Sequence, residues 1–197
     1  MLIANNHQIF DKKFPCLVGQ CLIAMPGMHD PRFEKTVIYM CAHSPDGAMG
    51  LIVNQAINTV TFSDMLEQLE IDLASAGPRI NVLFGGPVES GRGFVLHTDD
   101  YLQDSTLAIG NGLSLTATQD ILKAIAIGGG PLQCLLALGY AGWGAGQLDD
   151  EMKSNGWLSV AADKDLVFDH DLSGKWDRAM NKIGIDPQML SQNVGHA

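Results

Sequence analysis

Positive charge gathered in one place is what this chain has least of. Twelve Lys and Arg stand against 22 Asp and Glu, a formal net charge of −10 over 197 residues. The basic residues are scattered singly apart from the pair Lys12-Lys13. Nucleic-acid affinity rests on clustered cations that meet phosphates, so direct nucleic-acid binding is not expected. The four cysteines, Cys16, Cys21, Cys41 and Cys134, show no C-x-x-C spacing. The first residues also lack the basic start and small-residue cleavage site of a secretory signal, so reduced thiols and a cytoplasmic location are expected.

Several catalytic and cofactor signatures are missing as well. Walker A, G-x-x-x-x-G-K-[ST], does not occur, and neither does the nucleophile elbow G-x-S-x-G. The dinucleotide fingerprint G-x-G-x-x-G fails because Gly142, Gly144 and Gly146 are each two residues apart. Nothing in the spacing gathers His29, His43, His97 or His170 into the three or four converging donors that a metal requires. No catalytic set, metal or cofactor is therefore expected. The run from Ala124 to Leu148 carries no charge and has the length of a membrane span, but GGGP at 128 to 131 interrupts it. A helix end followed by a buried strand is the expectation there, with no membrane crossing.

Apolar residues make up 46% of the chain, enough for a large interior. At this length one domain over residues 1–197 is expected. GLIVN (50 to 54) and GFVLH (93 to 97) are short apolar runs bounded by glycine, as suits strands buried on both faces. Further strands are expected at 20–25, 36–42, 82–84, 107–109, 132–138, 157–161 and 166–168.

Helix starts are marked by caps. Thr61-x-x-Asp64 resembles a capping box ahead of Phe62, Met65, Leu66 and Leu69 on one face. Thr116-x-x-Gln119 repeats it before Ile121, Leu122 and Ile125, with Gly128 as the stop. Ser173 is expected to open a helix burying Trp176, Ala179, Met180 and Ile183 and closed by Gly184, and Asp186-Pro187 a short last turn. Strict β-α alternation is lacking, so α+β with a mixed sheet is favoured over a doubly wound fold.

GYAGWGAGQLDDE, residues 139 to 151, is the most unusual stretch. The residues favour a strand-to-helix turn, with Asp149, Asp150 and Glu151 in the first turns of a helix where carboxylates complement its dipole. Consecutive helical side chains point about 100° apart, so the three do not readily converge on one ion. If the turn faces a pocket, free N–H groups of Ala145, Gly146 and Gln147 could receive an anion, with Trp143 as its wall. Arg92, between Gly91 and Gly93, could bind a carboxylate or phosphate, or could pair with Asp30 or Glu89. Asn54 and His97 close apolar strands, where open sheets place ligands. The candidate ligand-binding set is therefore Asn54, Arg92, His97, Trp143, Gly144, Gly146 and Gln147, forming a polar crevice for a small anion. Cys41, two residues before His43, is a candidate redox-sensitive thiol, against the plainer alternative of a buried cysteine.

The segments GQCLIAMPGMHDPRFEKTVIYMCAH, GAMGLIVNQ, FGGPVESGRGFVLHT, LTATQDIL, LGYAGWGAGQLDDEMKSNGWL and KWDRAMNKIGID together resemble the AlgH/YqgE family of bacterial proteins. The resemblance runs from about Gly19 to the C-terminus. It implies an α+β fold whose sheet curls toward a pseudo-barrel, here with about four flanking helices. Asn54-Gln55 stands where members often carry Asn-Arg or Asn-Lys, and Ala117-Thr118-Gln119 replaces a commoner Thr-Ser-Arg. One branch of the family is named for an influence on alginate production and labelled a transcriptional regulator, without an established reaction or DNA-binding motif. Together with the acidic charge, this implies a non-enzymatic regulatory or binding protein that acts through a small ligand or a protein partner. The alternative is an anion-binding enzyme or thiol sensor at the crevice around Arg92 and His97.

Overall fold

A computed structural model describes residues 16–73 and 80–190; the Lys12-Lys13 pair lies outside them. Nine strands form one sheet: β1 (Gln20–Ala24), β2 (Val37–Ser44), β3 (Gly47–Ile52), β4 (Val82–Phe84), β5 (Val88–Thr98), β6 (Leu107–Gly110), β7 (Leu113–Thr116), β8 (Cys134–Gly144) and β9 (Trp157–Ala161). Their order is β6-β7-β5-β8-β3-β2-β1-β9, with β4 pairing parallel to β8 and every other ladder antiparallel. The sheet is thus mixed, as expected.

β8 joins the two halves. Its first part pairs with β5 and β4, and residues 141–144 pair with β3. Alternation along the strands explains the layers. Cys21, Ile23, Val37, Tyr39, Leu51 and Val53 share one core with Phe94, Leu96, Leu135 and Ala137 from the other half. The sheet therefore curls around its inner face as a half-barrel. The intervening residues Leu22, Ala24, Ile38, Met40 and Ile52 point outward into a second core beneath helix α3 (Gln147–Lys153). Val95 and Leu136 face a third, covered by α1 (Phe62–Gln68) and α2 (Gln119–Ala126). The stretches 21–24, 37–41, 50–52, 94–98 and 135–137 are buried, with a core on each side of the sheet, which is why they read as nearly continuous apolar runs.

Three short helices complete the described residues: α4 (Lys164–Phe168), α5 (Lys175–Lys182) and α6 (Pro187–Leu190). Trp176, Ala179 and Met180 of α5 close the inner core, and Gly184 stops the helix at φ 76°. The capping box at Thr61 and Asp64 is formed in both directions.

Other expectations need correction. Residues 166–168 are helical, because the Asp163 carboxylate accepts the Leu166 N–H at 2.7 Å and nucleates α4. Thr116 caps nothing and lies in β7, while α2 starts after Thr118, which makes no side-chain cap bond. Ser173 is one residue early: Gly174 is the N-cap of α5, and the Ser173 hydroxyl donates to Asp171. Strand β7 was not foreseen. Its signal is Asn111-Gly112, with φ of 56° and 75°, a hairpin turn between β6 and β7.

A longer strand replaces the expected turn at 139–144, where β8 runs on to Gly144 and only Ala145-Gly146 turns the chain. The glycines serve a close approach of two backbones. A Cβ on Gly86 would collide with the carbonyl of Tyr140, and one on Gly139 with the carbonyl of Gly86. The GGP and GYAG segments therefore fit only as bare main chain.

Candidate functional site

The turn and α3 build the floor of a cleft of about 840 Å³. Gly146, at φ 71°, reverses the chain into α3. The Gln147 side chain then accepts the Gly144 N–H at 3.0 Å and donates to Glu151 Oε1 at 2.9 Å. Glu151 Oε2 accepts the indole N–H of Trp143 and that of Trp157, each at 2.8 Å. The rings meet edge to face at 5.8 Å and 81°, and Phe33 meets Trp157 likewise at 5.7 Å and 74°. One carboxylate thus orients both tryptophans.

The opposite wall is the turn after β1, where Met25, Met28 and Phe33 are half-buried. Its rim holds His29, Asp30 and Arg32, whose guanidinium is bonded to Asp30 at 2.6 to 3.1 Å. This bond lowers the Asp30 pKa. Asp30 also caps the 3-10 turn Pro31–Phe33 by accepting the Arg32 N–H. The three carboxylates after the glycines part ways, as helical geometry requires. Asp149 faces His43 Nε2 at 3.7 Å, Asp150 takes Lys153 at 2.9 Å, and Glu151 holds the tryptophans.

Trp143 and Gln147 are brought together in this cleft, and Gly144 and Gly146 shape its turn. The other candidates lie elsewhere. Asn54 clips two strands, its Oδ1 accepting Val37 N–H at 2.8 Å and its Nδ2 donating to the Lys35 carbonyl at 2.9 Å. Arg92 pairs with Glu89 at 3.1 Å, lies 5.1 Å from the Phe94 ring centre, and lines a separate crevice with Gly91 and Gln119.

His97 is 0% exposed. Its Nδ1–H donates to the Thr98 carbonyl at 2.8 Å and its Nε2 accepts from Thr116 at 2.9 Å. Burial lowers its pKa. His97 lies five residues beyond Arg92 on β5, roughly 16 Å along the strand. The single crevice expected around Arg92 and His97 is therefore not assembled: β5 carries one side chain to the surface and buries the other.

Cys41 is 4% exposed, and burial pushes its thiol up to about 12. The nearby His43 ring points away to Leu17 N–H and Asp149. Burial thus works against a depressed, reactive thiol at Cys41, since desolvation disfavours the thiolate that reacts.

Glu151, Trp157, Phe33 and the two methionines are the cleft residues that sequence reasoning missed. The available signal was two tryptophans flanking an acidic helix, but their meeting depends on β8 and β9 lying on either side of α3. Lys175 was missed too. At 1% exposed, its ammonium donates to the carbonyls of Val53 (2.9 Å) and Val167 (2.7 Å), and burial lowers its pKa to about 8.

Residues 21–188 match the profile of the AlgH-like family, DUF179. The chain belongs to that family. A UPF0301 protein of Rhodospirillum rubrum is 55% identical over 181 residues, covering 92% of this chain and 94% of that one. A UPF0301 protein of Methylocella silvestris is 57% identical, covering 92% of each. The solution structure of the AlgH protein from Pseudomonas aeruginosa superposes with a TM-score of 0.74 at 38% identity over the full length of both chains. The crystal structure of DIP2367 from Corynebacterium diphtheriae, at 19% identity, TM-score 0.64 and 88% and 90% coverage, shares the fold. AlgH-like membership carries with it the curled α+β sheet described above. Among the described residues of this AlgH-like chain, no helix is long and apolar enough to cross a membrane. No group of three metal-ligating side chains converges among them either.

Proposed function

We propose that this AlgH-like chain is a non-enzymatic binding protein of the bacterial cytoplasm, regulatory in role, and that the tryptophan cleft is where its guest sits. The observation that carries this reading is the clamp on Glu151: three N–H donors fix one carboxylate at the floor of an 840 Å³ apolar-walled cavity. A preformed, mostly apolar cavity with a few fixed polar groups is the usual form of a small-molecule site. Met25 and Met28 on the facing wall add side chains that adapt to guests of different shape. The cleft supplies recognition without an evident nucleophile, since Glu151 is engaged by indoles and Gln147 rather than by a base. Direct DNA contact is disfavoured by the net charge of −10.

A thermal-shift screen of the purified chain against cytoplasmic small molecules tests the proposal, because a guest that binds only the folded state raises Tm. The expected result is a hit whose effect is lost in Met28→Lys, which places a positive charge in the cleft wall. A salt-sensitive, sequence-specific complex with DNA would overturn the reading.

A further inference from the structure

The chemistry of the cleft narrows its guest. We infer that it takes a small organic cation, an ammonium group carried on an apolar body; this rests on the cleft being a binding site.

The three donors that hold Glu151 are two indoles and one amide, all uncharged. They fix the carboxylate's direction without cancelling its charge. The lining carries two carboxylates, Asp30 and Glu151, against one guanidinium, Arg32. Arg32 is bonded to Asp30 through both Nε and a terminal nitrogen, so that pair is neutral and Glu151 is left to set the sign. An anion entering here would be brought toward a carboxylate, and a cation would be drawn to it.

The aromatic rings hold that carboxylate in place. Both indoles direct their positive N–H edge at Glu151 and are otherwise nearly buried, at 7% and 2% exposure, so the carboxylate rather than a ring face meets the guest. Phe33, 5.7 Å from Trp157, already has the Arg32 guanidinium 5.8 Å from its ring centre. A carboxylate held where water is partly excluded attracts an ammonium group more strongly than one in bulk water. The half-buried Met28 and Phe33 give the guest's carbon body an apolar wall. The chain's overall negative charge favours approach of a cation from solution.

Three probes that share a phenyl ring and differ in charge test this: benzyltrimethylammonium, its uncharged carbon isostere neopentylbenzene, and the anion benzenesulfonate. Binding is followed by tryptophan fluorescence. The expected result is that the cation binds at least about tenfold more tightly than the neutral analogue, with benzenesulfonate weakest. Glu151→Gln keeps an oxygen for the indoles and is expected to remove the discrimination while neopentylbenzene still binds. Should that variant not fold, wild-type affinity for the cation is expected to weaken from 50 mM to 500 mM salt while that for neopentylbenzene does not. Equal affinity for the three probes, or preference for benzenesulfonate, overturns the cation inference and leaves the cleft reading standing. Binding of none of them overturns both.

Discussion

Trp143 and Trp157, on strands β8 and β9, donate their indole N–H groups to the same oxygen of Glu151, each at 2.8 Å. Both rings are nearly buried, at 7% and 2% exposure, so neither N–H has ready recourse to water. Glu151→Ala is expected to cost roughly 2–4 kcal/mol, because two buried donors lose their acceptor. Glu151→Gln should cost less. Chemical denaturation of the two variants checks the ranking, and equal stability of Glu151→Ala and wild type would contradict it.

Lys175 gives stability a signature in pH. Its folded pKa is about 8 against an ordinary 10.5, so between those values the unfolded chain binds more protons and stability rises with pH. The full gain corresponds to about 3 kcal/mol. Buried Cys21 and Cys41 at about 12 and Cys134 at about 11 act oppositely. Above pH 9 the unfolded chain sheds thiol protons that the folded chain keeps, and stability falls. A maximum between about pH 8 and 9 is expected in urea melts. Lys175→Met should abolish the rising limb and leave the falling one.

Thiol chemistry follows the same burial. From the raised pKa alone, Cys41 should alkylate roughly 1,000-fold more slowly than an unperturbed thiol, and it should become reactive on unfolding. Cys16 is exposed and should react first. Mass mapping after a timed iodoacetamide pulse reads the order. Early labelling of Cys41 would restore the sensor idea.

Gly86 at φ 150° and Gly139 at φ 70° sit where the chain before β5 crosses β8. Alanine at either position meets main-chain carbonyl atoms, which cannot swing aside as a side chain can. Losses of roughly 3 kcal/mol or more are expected for each. Gly91→Ala, with open space around it, serves as the control and should be near neutral.

How much of this was legible in the sequence varies by distance. Strands β4 and β9 were readable to the residue, because apolar runs between turn residues are local signals. So was the Thr61 cap, whose partners are three residues apart. What was lost depends on partners far along the chain. Residues 166–168 look like a strand until Asp163 caps them. The glycines at 139–144 look like a turn until Gly85 and Gly86 lie against them. Arg92 and His97 share one strand, and burial at β7 withdraws the second from any crevice. The cleft itself joins Phe33 and Met28 to Trp143 and Trp157, more than a hundred residues away, a meeting that no spacing encodes.

The most direct test of the tryptophan cleft is an ¹⁵N-¹H titration of the full chain with benzyltrimethylammonium, followed at the three indole N–H signals. Trp176 is an internal reference, since its N–H is held by the Ala24 carbonyl at 2.9 Å beneath the inner core. Saturable shifts of the Trp143 and Trp157 indoles with Trp176 unmoved are the predicted result. Shifts confined to Trp176, or to none of the three, would contradict the cleft as the binding site.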